Sequence, residues 1–142
     1  MKMSNAFASV LIISAVAFCA SSISSTEASS AAMIGARTSD AGGVRVVVTP
    51  QPVGPSAIVW EFEVVMDTHS GTLSADLVQA AVLVDDNGRR YMPLAWQGDP
   101  PGGHHRKGML RFPLPAGKPK AVELQITGVG GPDKRIFRWE LN

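Results

Sequence analysis

The sequence has few of the residues that build cross-linked or reactive sites. It contains one cysteine, Cys19, and three histidines in 142 residues, and its formal net charge is +1. A lone cysteine in an apolar N-terminal stretch excludes disulfides and a thiolate metal site from the rest of the chain. A nearly balanced charge gives no electrostatic footprint for nucleic acid or an anionic membrane surface. We therefore expect no nucleic-acid partner.

The N-terminal residues have the order of a secretory signal peptide. Lys2 is followed by the apolar stretch AFASVLIISAVAFCA and then by a serine-rich run, which is typical of an export signal. We predict a signal peptide over residues 1–28, cleaved after Ala28 or alternatively after Ala32, and an exported protein of the periplasm or extracellular space. If uncleaved, the apolar stretch approaches the roughly 18 residues at which a membrane anchor becomes feasible.

The remaining chain divides into a leader and one domain. Residues 29–43, SSAAMIGARTSDAGG, contain few large apolar side chains, which is typical of a flexible segment. Residues 44–142 form a unit of roughly 100 residues, which is long enough for one hydrophobic core. We predict a flexible leader over 29–43 and a single monomeric domain over 44–142.

Glycine and proline interrupt the domain at short intervals, and the segments between them are rich in valine, isoleucine, phenylalanine and tryptophan. This spacing is typical of an all-β sandwich. We predict an immunoglobulin-like β-sandwich of about seven antiparallel strands. The predicted strands are Val44–Thr49, Ile58–Met66, Gln79–Asp85, Arg89–Trp96, Met109–Phe112, Ala121–Thr127 and Arg135–Leu141.

The alternation of apolar residues within three of these strands predicts the core. Successive side chains of a strand point to opposite faces, so residues of one parity are buried together. The predicted core residues are Trp60, Phe62, Val64 and Met66 in the second strand, Met92, Leu94 and Trp96 in the fourth, and Phe137, Trp139 and Leu141 in the seventh.

Two shorter signals predict local structure. Asn87 and Gly88 in DDNGRR predict a two-residue hairpin turn between the third and fourth strands. The stretch LSADLVQAA can form one helical turn, with Ser74 as its N-cap.

The three histidines are the first candidates for a site. His69 lies in MDTHSGTL, and His104 and His105 are adjacent in GGHHR; we predict all three in loops. Imidazole binds copper and zinc, and a carboxylate such as Asp67 can add a ligand. The sequence has no H-x-H or H-x3-H pair to set two imidazoles on one face. The alternative function is metal binding through the three histidines, with Asp67 or Met109 as the fourth ligand.

The histidine loop is also cationic. Arg106 and Lys107 follow the histidines close to PPGG, and backbone N–H groups of a glycine-rich turn can bind an anion. The structural interpretation is that these cations pair with Asp99, Asp85 or Asp86 across the loops. We favour a clamp between Arg106 and Asp99.

Catalysis has less support. In DTHSG, His69 would have to activate the adjacent Ser70, but neighbouring residues seldom place a base against a nucleophile, and no G-x-S-x-G motif is present. The ordinary interpretation is a turn in which Asp67, Thr68 and Ser70 bond to their own backbone. We expect no enzymatic activity and no cofactor, apart from copper or zinc in the alternative function.

Three motifs together resemble a family of small exported bacterial proteins of unassigned function. They are DTHS at 67–70, W-x-G-D-P-P-G-G-H-H-R-x-G-x-L-x-F-P at 96–113, and FRWEL at 137–141. The resemblance covers residues 60–141 and implies that both histidine loops belong to a common pattern, but it implies no activity. More distantly, an exported, cysteine-free sandwich with histidines is similar to periplasmic copper carriers.

These observations predict an exported binding or structural module of the bacterial envelope, without catalytic activity, whose partner is an unidentified envelope protein. The alternative is a periplasmic protein that binds copper or zinc through loop histidines. The membrane is a partner only if the signal segment stays uncleaved.

Overall fold

A computed structural model describes residues 34–141, so the predicted signal peptide and residues 29–33 lie outside the described residues. None of the helices in this described range is long and apolar enough to span a membrane. The elements in chain order are β1 Arg37–Ala41, β2 Val44–Pro50, β3 Val59–Thr68, α1 Leu77–Ala80, β4 Ala81–Asp85, β5 Arg90–Tyr91, β6 Ala95–Gly98, β7 His105–Pro113, β8 Ala121–Thr127 and β9 Lys134–Glu140.

The strands form two antiparallel sheets. Sheet A has five strands in the order β1-β2-β3-β7-β6, and sheet B has four in the order β5-β4-β8-β9. Their inward side chains form one apolar cluster. The predicted all-β sandwich is confirmed.

The core follows the alternation that the sequence predicts in two of the three strands. Burial alternates strictly along β3, and its four predicted inward residues are all buried. Phe137 and Trp139 of β9 are buried, and Leu141 packs partly buried against the core. The ring centroids of Phe62 and Trp139 lie 5.6 Å apart across the two sheets, a favourable distance for an aromatic pair.

The predicted fourth strand, Arg89–Trp96, is wrong in its extent and in its buried face. The chain leaves sheet B after β5 and joins sheet A at β6. Met92 and Leu94 lie in this connection and are 56% and 58% exposed, and Trp96 is only partly buried. Pro93 between them is buried. Because proline has no N–H to donate to a strand ladder, it separates the two short strands.

Residues 37–41 form β1, although the sequence predicts a flexible leader over 29–43. Strand β1 pairs antiparallel with β2, with Arg37 opposite Val48 and Ala41 opposite Val44. Its side chains are exposed or half-buried, so backbone pairing rather than apolar burial holds it. Composition therefore contained no signal for this strand, and the described fold begins before residue 44.

The β4–β5 hairpin forms where Asn87 and Gly88 predict it, but its loop is longer than predicted. The backbone N–H of Asp85 donates to the carbonyl of Arg89, which leaves residues 86–88 as the loop, and Gly88 has a φ of 78°. The Asp85 carboxylate accepts the backbone N–H groups of Asn87 and Arg89, each at 2.9 Å. Burial raises the pKa of Asp85, but these hydrogen bonds outweigh burial and hold the pKa below its usual value.

Candidate functional site

Arg106 occupies an inward position of β7. It alternates with exposed His105 and shares its face with buried Leu110 and Phe112, and its own exposed fraction is 1%. The sequence predicted a strand only from Met109 onward and so placed Arg106 in a loop. Because β7 begins at His105, a guanidinium lies at the end of the core.

The Arg106 guanidinium binds backbone carbonyls of two loops. Nη1 donates to the carbonyls of Leu73 at 3.0 Å and Ala75 at 2.7 Å, and Nη2 makes a long 3.5 Å bond to the carbonyl of Asp99. The Asp99 carboxylate instead accepts the backbone N–H of Lys107 at 2.8 Å. Arg106 therefore contacts the backbone carbonyl of Asp99 and not the carboxylate that the predicted clamp would use. Together with its bonds to Leu73 and Ala75, this contact joins loop 69–76 to loop 99–104.

Backbone hydrogen bonds also join these two loops. Leu73 donates to the carbonyl of Gly103 at 3.0 Å and accepts from Gly102 at 2.9 Å, and Thr68 donates to the carbonyl of His104 at 2.9 Å. Leu73 is buried, so its side chain fixes the first loop to the core. The carbonyls that bind Arg106 are thus held in place by other contacts.

Trp96 covers Arg106 on the β6 side. The Arg106 guanidinium carbon lies 5.5 Å from the centroid of the Trp96 ring, a cation–π distance, and the indole N–H donates to the carbonyl of Asp99 at 2.8 Å. A Cβ on Gly108 would lie 2.7 Å from the Trp96 ring and 2.6 Å from the Cα of Gly98. Gly108 therefore makes room for the ring, while Gly98 and Gly108 together allow the backbones of β6 and β7 to approach closely.

The carboxylates nearest to the Arg106 charge, those of Asp99 and Asp76, form their hydrogen bonds with backbone N–H groups and not with Arg106. Burial lowers the pKa of Arg106, while Asp99 and Asp76 raise it, and a guanidinium stays charged. Asp76, not the predicted Ser74, is the N-cap of α1, and its carboxylate accepts the N–H of Val78 at 3.0 Å. No ion pair to Arg106 forms among the residues that the structure describes.

Arg106 lines a cavity of about 210 Å³ at this end of the sandwich, here called the Arg106 cavity. The Nε atom of Arg106 is buried and has no hydrogen-bond acceptor among residues 34–141. A buried donor without an acceptor is costly, but Arg106 is only 1% exposed, so this donor is enclosed by protein rather than open to the cavity. The buried wall includes Met66, Leu73 and Val129, and the exposed rim includes Ser70, Thr72 and Ser74.

The structure brings together one pair of the predicted metal ligands. His105 Nδ1 lies 2.5 Å from Asp67 Oδ1, because the two residues are opposite each other on β7 and β3. Both lie on the outer face of sheet A, opposite to Arg106. His69 and His104 are exposed in the loops of the same end. The described residues contain no group of three or more His, Cys, Asp or Glu side chains that could hold a metal ion.

The other residues of the predicted cationic patch do not join Arg106. Lys107 points outward and pairs with Glu63 at 3.2 Å, because alternation along β7 separates it from Arg106. Asp85 lies in the β4–β5 hairpin, and the Asp86 carboxylate accepts the backbone N–H of Lys120. The patch is thus one buried cation and one exposed ion pair.

A second buried arginine, Arg135, is absent from the core residues that the sequence predicts. It lies on the inward face of β9 and is 2% exposed. Its Nε donates to the carbonyl of Val129, Nη1 donates to the carbonyl and hydroxyl of Ser39, and Nη2 donates to the carbonyls of Ala41 and Gly130. The parity of β9 could have found it, because Arg135 shares the face of Phe137 and Trp139.

A larger groove of about 620 Å³ lies at the opposite end of the sandwich. Trp60 and Trp139 line it, and their indole N–H groups donate to the carbonyls of Gln51 at 3.0 Å and Gly35 at 2.8 Å. Within its described lining, no buried side-chain nitrogen or oxygen lacks a partner. The charged side chains of this groove, Arg37, Lys118 and Glu140, are exposed at its rim. The Arg106 cavity has a buried charged group beside it, so it is the candidate site.

No protein-family model matches this chain, and comparisons with curated proteins and with solved structures find no match either. The resemblance to small exported bacterial proteins therefore stays a prediction.

Proposed function

We propose that this domain is an exported binding module, without catalytic activity, that binds a small oxygen-containing ligand in the Arg106 cavity. One observation carries the proposal: Arg106 holds two loops together beside a cavity, and the exposed rim of that cavity includes Ser70, Thr72 and Ser74. The hydroxyls of these rim residues can donate hydrogen bonds to a ligand oxygen.

The chemistry of the cavity wall supports binding rather than catalysis. Its described lining has one guanidinium and several hydroxyls, but no imidazole, carboxylate or thiol side chain. General acid–base catalysis needs a group that exchanges a proton near neutral pH within hydrogen-bond reach of the ligand, and a guanidinium does not do so. His105 lies on the opposite face of β7.

The proposed location is the periplasm or extracellular space of a bacterium, and the order of residues 1–28 supports it. An envelope protein is the proposed partner if the domain acts as a structural module.

Ligand-dependent thermal stability tests the proposal. The full chain is heated with acetate, phosphate or sulfate, at an ionic strength matched with chloride. We expect at least one oxyanion to raise the melting temperature, because a ligand at about 100 times its Kd adds about 2.7 kcal/mol of stability. Arg106→Lys should lose this response, and Arg111→Lys, a control on the outer face of the same strand, should keep it. If no oxyanion raises the melting temperature, the proposal is contradicted. The remaining hypothesis is then that the domain is a structural module.

Metal binding is the second candidate function, and the contact between His105 and Asp67 favours it. Calorimetric titration with Cu(II) and Zn(II) tests it against a His104→Ala/His105→Ala double variant. Binding that the double variant loses would support a metal site, and an absence of heat with both ions would contradict it.

A further inference from the structure

The groove at the other end of the sandwich, lined by Trp60 and Trp139 and here called the Trp60 groove, has an apolar interior. Ile34, Val53, Leu114 and Leu141 also line it. Each of these four side chains packs against the core but is only partly buried, so each keeps apolar surface that the core does not cover. Removing such surface from water is favourable. The interior therefore favours an apolar occupant.

The polar groups of this interior already have hydrogen-bond partners. The indole N–H groups of Trp60 and Trp139 donate to the carbonyls of Gln51 and Gly35, and the Gln51 side-chain amide donates to the carbonyl of Thr49 at 3.2 Å. A ligand with many polar groups would lose its water without gaining these donors in return. A hydrocarbon chain needs no such partners, so the interior selects for it.

The uncompensated charge at the rim of the groove is positive. Arg37 and Lys118 are exposed there, and no ion pair of the described residues includes either of them. The rim carboxylate, Glu140, is already paired with Arg138 at 2.8 Å. Arg37 donates Nε to the carbonyl of Arg138 at 3.1 Å, which holds its guanidinium beside the groove. Two cations at the mouth of an apolar groove complement an anionic head group.

The volume of the groove fits one hydrocarbon chain. About 620 Å³ lies in the range of about 300 to 1,000 Å³ that is usual for small-molecule sites, and it holds about 20 non-hydrogen atoms at about 30 Å³ each. A fatty acid of about 12 carbons stays within this limit, whereas a phospholipid with two acyl chains exceeds it. The volume therefore favours a single-chain ligand.

Proline restricts the backbone of two segments that line the groove. Pro50 and Pro52 lie in the first segment, and Pro115 and Pro119 lie in the second. The ring of each proline fixes φ, so these segments lose little conformational entropy when a ligand binds. A ligand thus meets two walls that are already ordered.

We propose that the Trp60 groove binds a free fatty acid, with the hydrocarbon chain in the apolar interior and the carboxylate at Arg37 and Lys118. This inference is independent of the proposed function, because the Trp60 groove and the Arg106 cavity share no lining residue. An anionic phospholipid of a membrane is the other source of the same chemistry, and the volume favours the free acid.

The test is a titration of the full chain with dodecanoate below its micelle concentration, followed by NMR of the tryptophan indole N–H groups. Trp60 and Trp139 report on the groove. Trp96, whose N–H donates to the carbonyl of Asp99 at the other end, is the internal reference. We expect dodecanoate to shift the first two resonances and to leave that of Trp96 in place. Dodecyltrimethylammonium has the same chain with the opposite charge and should bind at least about threefold more weakly.

Chain length tests the apolar interior separately from the rim. Octanoate, decanoate and dodecanoate have the same head group and differ only in the number of methylenes. Each added pair of methylenes should strengthen binding about tenfold while the groove still covers the chain. Equal affinity for the three acids would mean that only the carboxylate is bound, and the proposal would then be wrong.

Two exposed lysines provide a matched pair of variants. Lys118 lines the groove, whereas Lys120 does not. Lys118→Glu should weaken dodecanoate binding about threefold to tenfold, and Lys120→Glu should leave it unchanged. Val53→Trp fills the interior without changing the charge of the rim and should weaken binding at least about tenfold. If Val53→Trp does not fold, the comparison of the two lysine variants decides the question.

Four further results would overturn this inference. If dodecyltrimethylammonium binds as tightly as dodecanoate, the rim does not select an anion. If phosphatidylglycerol vesicles bind the chain in a way that Lys118→Glu abolishes, and dodecanoate does not bind, the source of the ligand is wrong. If dodecanoate shifts only the Trp96 resonance, it binds at the other end of the sandwich. If it shifts none of the three, the groove binds no fatty acid, and the proposed function at the Arg106 cavity is unaffected.

Discussion

The two buried arginines lie at the same end of the sandwich and differ in how completely their donors are used. Arg135 makes five hydrogen bonds, which equals the number of N–H donors of a guanidinium. Arg106 makes three, one of them at 3.5 Å, and its Nε has no acceptor in the described range. Both side chains are almost fully buried.

The difference indicates what each arginine contributes. Arg135 joins β9 to β1 and to the glycine-rich loop after β8, and its bonding is complete without any other molecule. Arg106 holds two loops together in the same way but with fewer hydrogen bonds, and it lies beside a cavity. A buried polar group is stable when its partners are complete, so Arg106 is the less completely stabilised of the two.

Removing Arg135 should have the largest effect. Arg135→Met leaves the carbonyls of Val129, Ala41 and Gly130 without their donor, and we expect a loss of about 3 to 5 kcal/mol of unfolding free energy. Urea denaturation followed by tryptophan fluorescence measures it. Arg138→Met, on the exposed face of the same strand, is the control and should cost about 0 to 1 kcal/mol. Equal losses for the two variants would show that the bonds of Arg135 add no stability.

Arg106→Met should cost less, about 2 to 3 kcal/mol, because it frees the carbonyls of Leu73 and Ala75 but also removes a donor that had no acceptor. Amide hydrogen exchange should rise in loops 69–76 and 99–104 while β1 stays protected. A loss as large as that of Arg135→Met would mean that the hydrogen bonds of Arg106 stabilise the fold as much as those of Arg135. The two arginines would then not differ in how completely they are bonded.

Gly108→Ala should affect Arg106 and leave Arg135 unchanged. The new methyl would meet the Trp96 ring and the Gly98 backbone, and we expect a cost of about 1 to 3 kcal/mol from overpacking. The Nε–H resonance of Arg106 should move as Trp96 is displaced, while that of Arg135 stays in place. Gly54→Ala is the control, because a Cβ there meets nothing within 4 Å. A shift at both arginines would mean that the end of the sandwich responds as one unit.

The sequence was sufficient to predict the sandwich but not its edges. Alternation in β3 and β9 identified the core because both faces of these strands differ clearly in polarity. The same alternation gave a wrong prediction for Met92 and Leu94. The chain crosses from sheet B to sheet A at these residues, so the side of the chain that faces the core changes although the residues remain apolar. Strand β1 was missed because it is held by backbone bonds and by Arg135, neither of which alters its composition.

The candidate site was predicted only in part. The sequence predicted a contact between Arg106 and Asp99, but it did not predict that Arg106 is buried or which groups surround it. Extending the alternation of Leu110 and Phe112 backward would have placed Arg106 in the core. The histidine pair HHR drew attention to His104 and His105, which are exposed. Nothing in the sequence indicates that the carbonyl of Leu73 binds Arg106, because a backbone acceptor leaves no residue signature.

Ser39→Ala should have the smallest effect on stability and makes Arg135 resemble Arg106. It removes the hydroxyl that accepts from Nη1 at 2.8 Å but keeps the Ser39 carbonyl, so we expect a loss of about 0.5 to 1.5 kcal/mol, with Thr38→Ala as the exposed control. Urea denaturation measures this loss. A loss as large as that of Arg135→Met would show that the Ser39 hydroxyl, rather than the backbone carbonyls, accounts for the stability that Arg135 adds.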